Sequence, residues 1–399
     1  MWPVRVCLFN WKGPGHPEGG GAEVYTREVL RRWAARGHDV TWFGSAAPGR
    51  PAEETDADGI RLIRAGSRYG VYRAARVWYA AARARGEHFD LLIDEVNTRP
   101  FDCASWSGGV PVVALVHQVA REIWSYEFPW PLSWFGRSVL EPRWLARLAD
   151  VPVLTVSPSS RRSLRAYGLR RITLVPEGIE MRPRPDVPRE VRPTVIHVGR
   201  LSRVKQIDQL FDAFRLLRRS MPTARLWLVG DGPDYARLRK LAPEGVNFHG
   251  RVPGQVRDEL MARAHVLACT SVREGWALVV DEAAAMGTPA IAYANPGLLD
   301  SVPAAGGILV PPNPQALAAG LAEHLPAWAA APSPEGWRGG AVPWDDVADA
   351  VWEACASVLS CGGPGAPRPS RTASRRPRRP SAAPAPPSAP EPSPAAPAN

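Results

Sequence analysis

Ser271-Val-Arg-Glu-Gly-Trp-Ala-Leu-Val-Val-Asp-Glu-Ala-Ala-Ala-Met-Gly-Thr-Pro289 runs between two short apolar stretches, Val266–Cys269 and Ala290–Tyr293. A glycine-bearing turn, an apolar helix start and a Gly-Thr-Pro exit between two strand-like runs read as one β-α-β unit of a parallel sheet. Glu274 and Glu282 stand in it with seven residues between them. On a continuous helix they would be separated by about 12 Å. A retaining glycoside hydrolase needs its two carboxyls about 5–5.5 Å apart, so this is a poor hydrolytic pair. The spacing suits the two ends of one long ligand whose anionic middle sits on the helix N-terminus. The bland alternative makes Glu274 and Asp281 charges at a helix start and on its solvated face.

The same alternation continues outward. Towards the N-terminus come strand-like Val4–Phe9, a helix over 22–36 with Val24, Val29, Leu30 and Trp33 on one side, and strand-like Val40–Phe43 and Ile60–Ile63. Helix-like Arg73–Arg85 follows, then Leu91–Ile93, Val112–Val116, Val153–Val156 and helix-like Arg161–Ala166. Four prolines between Pro176 and Pro188 predict a stiff, poorly paired connector. The pattern restarts at Thr194–Val198 and repeats through Arg225–Val229, Val246–His249 and Ile308–Val310, with a last helix over 345–359. The expected fold is α/β, two doubly wound parallel-sheet Rossmann-like domains facing a cleft. Its parts are an N-terminal domain 1–178, a linker 179–192, a second domain 193–343 and a last helix 344–361. The remaining 38 residues, 362–399, hold 12 prolines, six arginines and no aromatic, which predicts a disordered tail.

Composition narrows the function. The formal charge is +10, but the tail supplies six arginines against Glu391, so the body carries +5. Lysines are rare, Lys12, Lys205 and Lys240, among 49 basic residues; the arginine excess reads as base-composition bias, and no nucleic-acid partner is expected. The five scattered cysteines give neither a disulfide framework nor a metal spacing. The N-terminal run has no signal-peptide layout, and no apolar run reaches the ~18 residues of a membrane span. The expected setting is cytoplasmic, with a peripheral seat at the inner face of the membrane as one form of it.

Four further segments carry candidate chemistry. Asn10-Trp-Lys-Gly-Pro-Gly-His-Pro-Glu-Gly-Gly-Gly-Ala22 joins a strand to a helix; its glycines, Gly20 and Gly21 among them, let backbone amides approach an anion. It is not a dinucleotide fingerprint, since Glu18 holds the third glycine's place. Val198-Gly-Arg-Leu-Ser-Arg-Val-Lys205 puts Arg200 and Lys205 at a strand's carboxyl end, two cations suited to a diphosphate. His117 ends the run Val112–Val116 and would face the cleft. Arg121 to Arg147 interleaves Arg121, Arg137, Arg143 and Arg147 with Trp124, Trp130, Trp134 and Phe135. That segment reads first as interdomain packing and second as an interfacial patch for lipid. Asp56-Ala-Asp58 reads as a loop, not a metal site.

Together these residues resemble a known family. Gly20-Gly-Ala-Glu23, Gly199-Arg-Leu201 with Lys205, Gly230-Asp-Gly-Pro233, Phe248-His-Gly-Arg251 and Glu274-x7-Glu282 before Gly287-Thr-Pro289 look like the retaining glycosyltransferases of family four, which have the GT-B fold. The resemblance covers roughly residues 4–360 and implies that domain 1–178 is the acceptor side, that 193–343 binds the nucleotide sugar, and that helix 344–361 crosses back to the first domain. It implies that the Gly20 and Gly21 backbone approaches a donor diphosphate, that Arg200 and Lys205 neutralise it, and that Glu282 accepts from ribose hydroxyls. Glu274 and His117 would lie by the transferred sugar, the amides of Gly275, Trp276 and Ala277 by sugar or phosphate, and the backbone of Arg251 and Val252 by the base. It implies a nucleotide-sugar donor and a hydroxyl acceptor, lipid-linked ones included, with no cofactor and no metal. Trp276-Ala277 replaces a common Phe-Gly, which would tighten the sugar pocket. Gln118, Glu177 and Gln206 replace a common Asp, Asn and Gly. An epimerase or phosphorylase of the same fold and a non-catalytic nucleotide-sugar binder are the alternatives. The basic Arg375–Arg379 tail, with the aromatic segment, would favour contact with anionic membrane.

Overall fold

A computed structural model describes residues 3–13, 16, 19–180, 183–184, 186–330 and 339–361. The tail 362–399 and Arg375–Arg379 within it lie outside them, as do residues 14, 15, 17 and 18 of the first glycine loop. The strands are β1 Arg5–Phe9, β2 Asp39–Gly44, β3 Glu53–Thr55, β4 Arg61–Arg64, β5 Leu91–Glu95, β6 Val112–Leu115, β7 Val153–Thr155 and β8 Ile172–Leu174. After them come β9 Gly178–Ile179, β10 Thr194–Val198, β11 Arg225–Val229, β12 Val246–Gly250, β13 Val266–Cys269, β14 Ala290–Tyr293, β15 Ile308–Val310 and β16 Val342–Pro343.

Among the described residues, the first sheet has the order β3-β4-β2-β1-β5-β6-β7-β8 and the second β12-β11-β10-β13-β14-β15. Every pairing is parallel except β3 with β4. Strands such as Leu91–Glu95 and Val266–Cys269 are buried along their whole length, as strands covered on both faces must be. Strand order reverses between β1 and β5 in one sheet and between β10 and β13 in the other. Ligands of open α/β sheets bind at such reversals, beyond the carboxyl ends, which is where Asn10, His117, Arg200 and Glu274 fall.

Three expectations change. The helix Gly21–Ala35 buries Val29, Leu30 and Trp33, but Val24 is half exposed. Glu23 and Tyr25 take the inward positions instead. The proline-rich connector is not wholly unpaired, because Gly178–Ile179 runs parallel to Val342–Pro343. The helix expected from Arg73 begins at Val71.

The helix Trp344–Cys361 lies on the first domain. Trp344, Val347, Ala348, Val351, Trp352 and Cys355 share one buried cluster with Tyr25, Trp33 and Trp42. Trp33 donates its indole N–H to the Ala348 carbonyl at 3.1 Å, and the Trp33 and Trp352 rings meet edge to face at 5.2 Å. The pairing of β9 with β16 brings Gly178 under Trp344, where a β-carbon would overlap the indole. Gly178→Ala should therefore cost about 1–3 kcal/mol by overpacking. A urea titration of the variant checks it; a midpoint equal to the parent's would mean that the Trp344 seat is soft.

Candidate active site

The second-domain half is built on two loops. After β10 the chain passes Gly199 and Arg200 and makes a short turn, Arg203–Lys205. That turn is fixed from below: Thr270 donates to the Lys205 carbonyl at 2.7 Å and the Val272 amide to the Val204 carbonyl at 2.9 Å. Gln206 then adopts φ 50°, which explains why glycine suits its position. The Lys205 ammonium donates to the Glu274 carboxylate. Arg200 is exposed and has no hydrogen bond or ion pair among the described residues.

Glu274 does not lie on a helix. The helix spans Leu278–Ala285 and is entered through Ala277 at φ 77°, ψ 65°, so the distance along a continuous helix does not apply to the two glutamates. A left-handed alanine costs about 1–2 kcal/mol, and this is the position where the family commonly has glycine. Glu282 is on the helix, its Oε1 3.2 Å from Nη1 of Arg257. Burial raises the Glu282 carboxyl above its ordinary range and Arg257 opposes that shift. Arg257 was not foreseen; nothing in the sequence separates it from the chain's other arginines. Arg251 and Val252 follow β12 directly, beyond its carboxyl end.

Asp281 is fully buried, not on a solvated face. Its Oδ2 accepts from the Trp276 indole at 2.6 Å, and its Oδ1 from the amides of Gly340 and Ala341 at 2.9 and 3.2 Å. Trp276 therefore spends its bulk against Gly340 and the first-domain core, rather than on narrowing a sugar pocket.

The first-domain half centres on His117, whose side chain is nearly buried. Its Nε2 is 3.6 Å from Oε1 of Glu95 at the end of β5, and its Nδ1 is 3.7 Å from Oε1 of Glu177 before β9. Thr26 donates to the other Glu95 oxygen at 2.7 Å, and the Tyr25 ring stands edge-on to the imidazole at 5.0 Å. Burial works against the charged ring, but the two carboxylates outweigh it and push its pKa up to about 10. Burial raises the Glu177 carboxyl, with His117 opposing. Glu177 stood out in the sequence only as a departure from the family pattern, and Glu95 not at all.

The two halves meet. A β-carbon on Gly275 would lie 3.1 Å from the His117 carbonyl, and one on Gly21 would lie 4.0 Å from Leu278. Gly20 caps the first helix, its amide held by Glu23 at 2.6 Å. Arg273, buried, donates to Glu122 at 2.8 Å and to Ser163 at 3.2 Å. Asp300 accepts the Ser159 amide at 2.9 Å, and Gln206 donates to the Tyr126 hydroxyl at 3.0 Å. Thus His117, Gly275, Glu274 and Lys205 form one group, with Gly21 against Leu278 of the Glu282 helix; Arg200, at the end of β10, has no partner among the described residues.

The aromatic segment divides, against the packing expected of it. Trp124 is buried, but Trp130 is 80% exposed and Trp134 58%, with Leu132 and Phe135 exposed beside them. No described helix is long and apolar enough to cross a membrane.

His117 gives a pH signature. Folding raises its pKa above the ordinary 6.5, so its contribution is full below about pH 6.5 and is lost as pH rises through about 10. His117→Gln leaves buried carboxylates unpaired and should cost about 3–5 kcal/mol near neutrality. Urea midpoints of both proteins from acid to alkaline pH should converge towards pH 10; a constant gap would remove the imidazolium.

Two family models match end to end, "Glycosyltransferase Family 4" over residues 19–182 and "Glycosyl transferases group 1" over 182–329. A GDP-mannose-dependent alpha-(1-6)-phosphatidylinositol monomannoside mannosyltransferase of Mycobacterium tuberculosis is 28% identical over 334 residues, covering 75% of this chain and 82% of that one. A D-inositol 3-phosphate glycosyltransferase of Kineococcus radiotolerans is 29% identical over 382 residues, 80% of this chain and 82% of that one. Among solved structures, a sucrose-phosphate synthase from Thermosynechococcus elongatus superposes with TM-score 0.67 at 22% identity, over 89% of this chain and 96% of that one. WaaG, a glycosyltransferase involved in lipopolysaccharide biosynthesis, gives 0.62 at 18%, over 81% and 93%. These two carry the fold, which is GT-B. With both halves of the family pattern present in sequence, the chain belongs to the family-four, group 1 glycosyltransferases and is a transferase enzyme.

Proposed function

We propose that the protein transfers a hexose-type sugar from a nucleoside diphosphate donor to a hydroxyl acceptor with retained anomeric configuration. The observation that carries this reading is the group at the meeting strand ends, where Glu274 and Lys205 pair beside Gly275 and Gly275 lies on His117. Arg200 and Lys205 act on the diphosphate, Glu282 on the ribose, and the Gly20, Gly21 and Gly275–Ala277 backbone on phosphate and sugar. Arg251 and Val252 line the base, and Glu274 and His117 the sugar.

In the step itself the acceptor oxygen bonds to the anomeric carbon as the bond from that carbon to the diphosphate breaks. The acceptor proton passes to the departing phosphate oxygen on the same face. Negative charge grows on the diphosphate, where preorganised cations count most. Two cations there let the step proceed without a metal. The clasp through Arg273, Asp300 and Gln206 supports exclusion of water, which would otherwise hydrolyse the donor.

A hydroxyl on a lipid-linked acceptor, of the kind the mycobacterial relative's name states, agrees with the exposed Trp130, Leu132, Trp134 and Phe135 beside exposed Arg137 and Arg143. Such a surface seats on the interface of an anionic membrane, at the cytoplasmic face. Trp130→Ala with Trp134→Ala should lower pelleting with phosphatidylglycerol vesicles about tenfold or more. Equal pelleting of both proteins, or none by either at low salt, refutes the membrane seat.

For the donor site, thermal shift and calorimetry with UDP, GDP, ADP and dTDP sugars should single out one base. Glu282→Ala should weaken it about tenfold or more, and Arg200→Ala should lower kcat on the order of a hundredfold. Proton NMR of the product should show the donor's anomeric configuration. An inverted product, or a folded protein that binds no nucleotide, overturns the reading.

A further inference from the structure

Glu282 sits among charged groups that pull its carboxyl in opposite directions. Its helix, Leu278–Ala285, packs on the helices Gly254–Arg263 and Leu298–Ala304 and on β14 and β9. Gly254–Arg263 brings Arg257, whose Nη1 is 3.2 Å from Glu282 Oε1, and Asp258 beside it. Asp281 precedes Glu282 in its own helix. Leu298–Ala304 offers Asp300, which is spent on the Ser159 amide of the first domain. Glu177, before β9, faces His117 at 3.7 Å. Tyr293 of β14 is buried in a separate cluster with Phe211 and Leu317. Among the described residues Arg257 is thus the only cation within ion-pair reach of Glu282.

The guanidinium is itself anchored. Its Nε donates to Asp258 Oδ1 at 3.0 Å, and its Nη2 stands 3.0 Å from the same oxygen. That leaves Nη1 for Glu282. Both side chains stay partly open, Arg257 at 33% and Glu282 at 22%, so Glu282 can take a ligand hydroxyl without losing the arginine. An ionised carboxyl only accepts hydrogen bonds and offers both oxygens to them, whereas its acid form gives up part of that capacity. Burial pushes the Glu282 carboxyl up, Asp258 and Asp281 push the same way, and Arg257 opposes them. A carboxylate so placed would lose two vicinal hydroxyls in mild acid without its counter-ion.

We propose that Arg257 is a positioning residue of the donor site, anchored by Asp258, that keeps Glu282 ionised and turned to the ribose and does not itself touch the nucleotide; this rests on the reading of Glu282 as the ribose acceptor.

Calorimetry with UDP, GDP and ADP finds the base that binds. The tightest of them is then compared with its 2′,3′-dideoxy counterpart from about pH 4.5 to about pH 8. The ratio of the two dissociation constants reads the ribose hydroxyls, because protonation of the diphosphate affects both ligands alike. Near neutrality the wild type should prefer the ribose form about tenfold or more, and the preference should fade as acid protonates Glu282. Arg257→Gln should move that fading upward by about one pH unit. Arg257→Lys, which keeps a cation, should fall between the two, and Glu282→Gln should show a small preference that does not vary with pH. Cooperative thermal unfolding shows that each variant is folded. An Arg257→Gln profile equal to the wild type's, or an Arg257→Lys profile no better than the glutamine variant's, overturns the inference. So does an equal loss of affinity for both nucleotide forms at every pH, which would put Arg257 on the ligand itself. A wild type that binds the nucleotide without preferring the ribose form removes the ribose role of Glu282, and binding of no nucleotide removes the donor reading; the inference falls with either.

Discussion

A buried carboxylate without a counter-ion is tolerable only when hydrogen bonds replace the water it lost, and Asp281 shows what those bonds can organise. Its three donors come from the Trp276 indole and from the backbone at Gly340 and Ala341. The first fixes the turn between Glu274 and the helix that carries Glu282. The others fix the chain just where it leaves the second domain to form β16 and the crossing helix. One side chain thus sets the helix N-terminus, the left-handed Ala277 and the return path together. The Trp344 seat on Gly178 and the Trp33–Trp352 contact continue the same path into the first-domain core.

The fold was legible because parallel strands covered on both faces must be short and apolar, as Val266–Cys269 and Ala290–Tyr293 are, and because helices separate them. Glycines and charges after the strand-like runs marked the carboxyl ends that face the cleft. The failures have physical causes. Val24 was assigned inward by hydrophobicity, but Glu23 and Tyr25 are needed inward, one to hold the Gly20 amide and one to stand against His117. The bland alternative left Asp281 solvated because its partners Gly340 and Ala341 are 59 and 60 residues away. No local pattern carries that pairing.

The same limit applies to the group around His117. A histidine at a strand end is visible in sequence, but its charge state depends on Glu95 and Glu177, which come from separate elements. Glu177 was noted only as a replacement for asparagine. In space the replacement supplies the second carboxylate of a buried pair, and that pair is what makes an imidazolium tolerable where burial alone would neutralise the ring. The aromatic segment shows the converse. Its composition read first as packing, and the exposure of Trp130 and Trp134 turns that reading for the middle of the segment.

The site's ion pairs also order its charges. Lys205 is held by Glu274 and Glu282 by Arg257, so each of these side chains already has a partner before any ligand arrives. A ligand must share those partners, which fixes side-chain geometry in advance and lowers the ordering cost of binding. Arg200 differs: it is exposed and without an ion pair among the described residues. An exposed cation beside a low-dielectric cleft acts on an anion at longer range than a paired one, because no neighbouring carboxylate cancels its field. The contrast between Arg200 and Lys205 follows from the carboxylate that the loop after β13 sets beside Lys205.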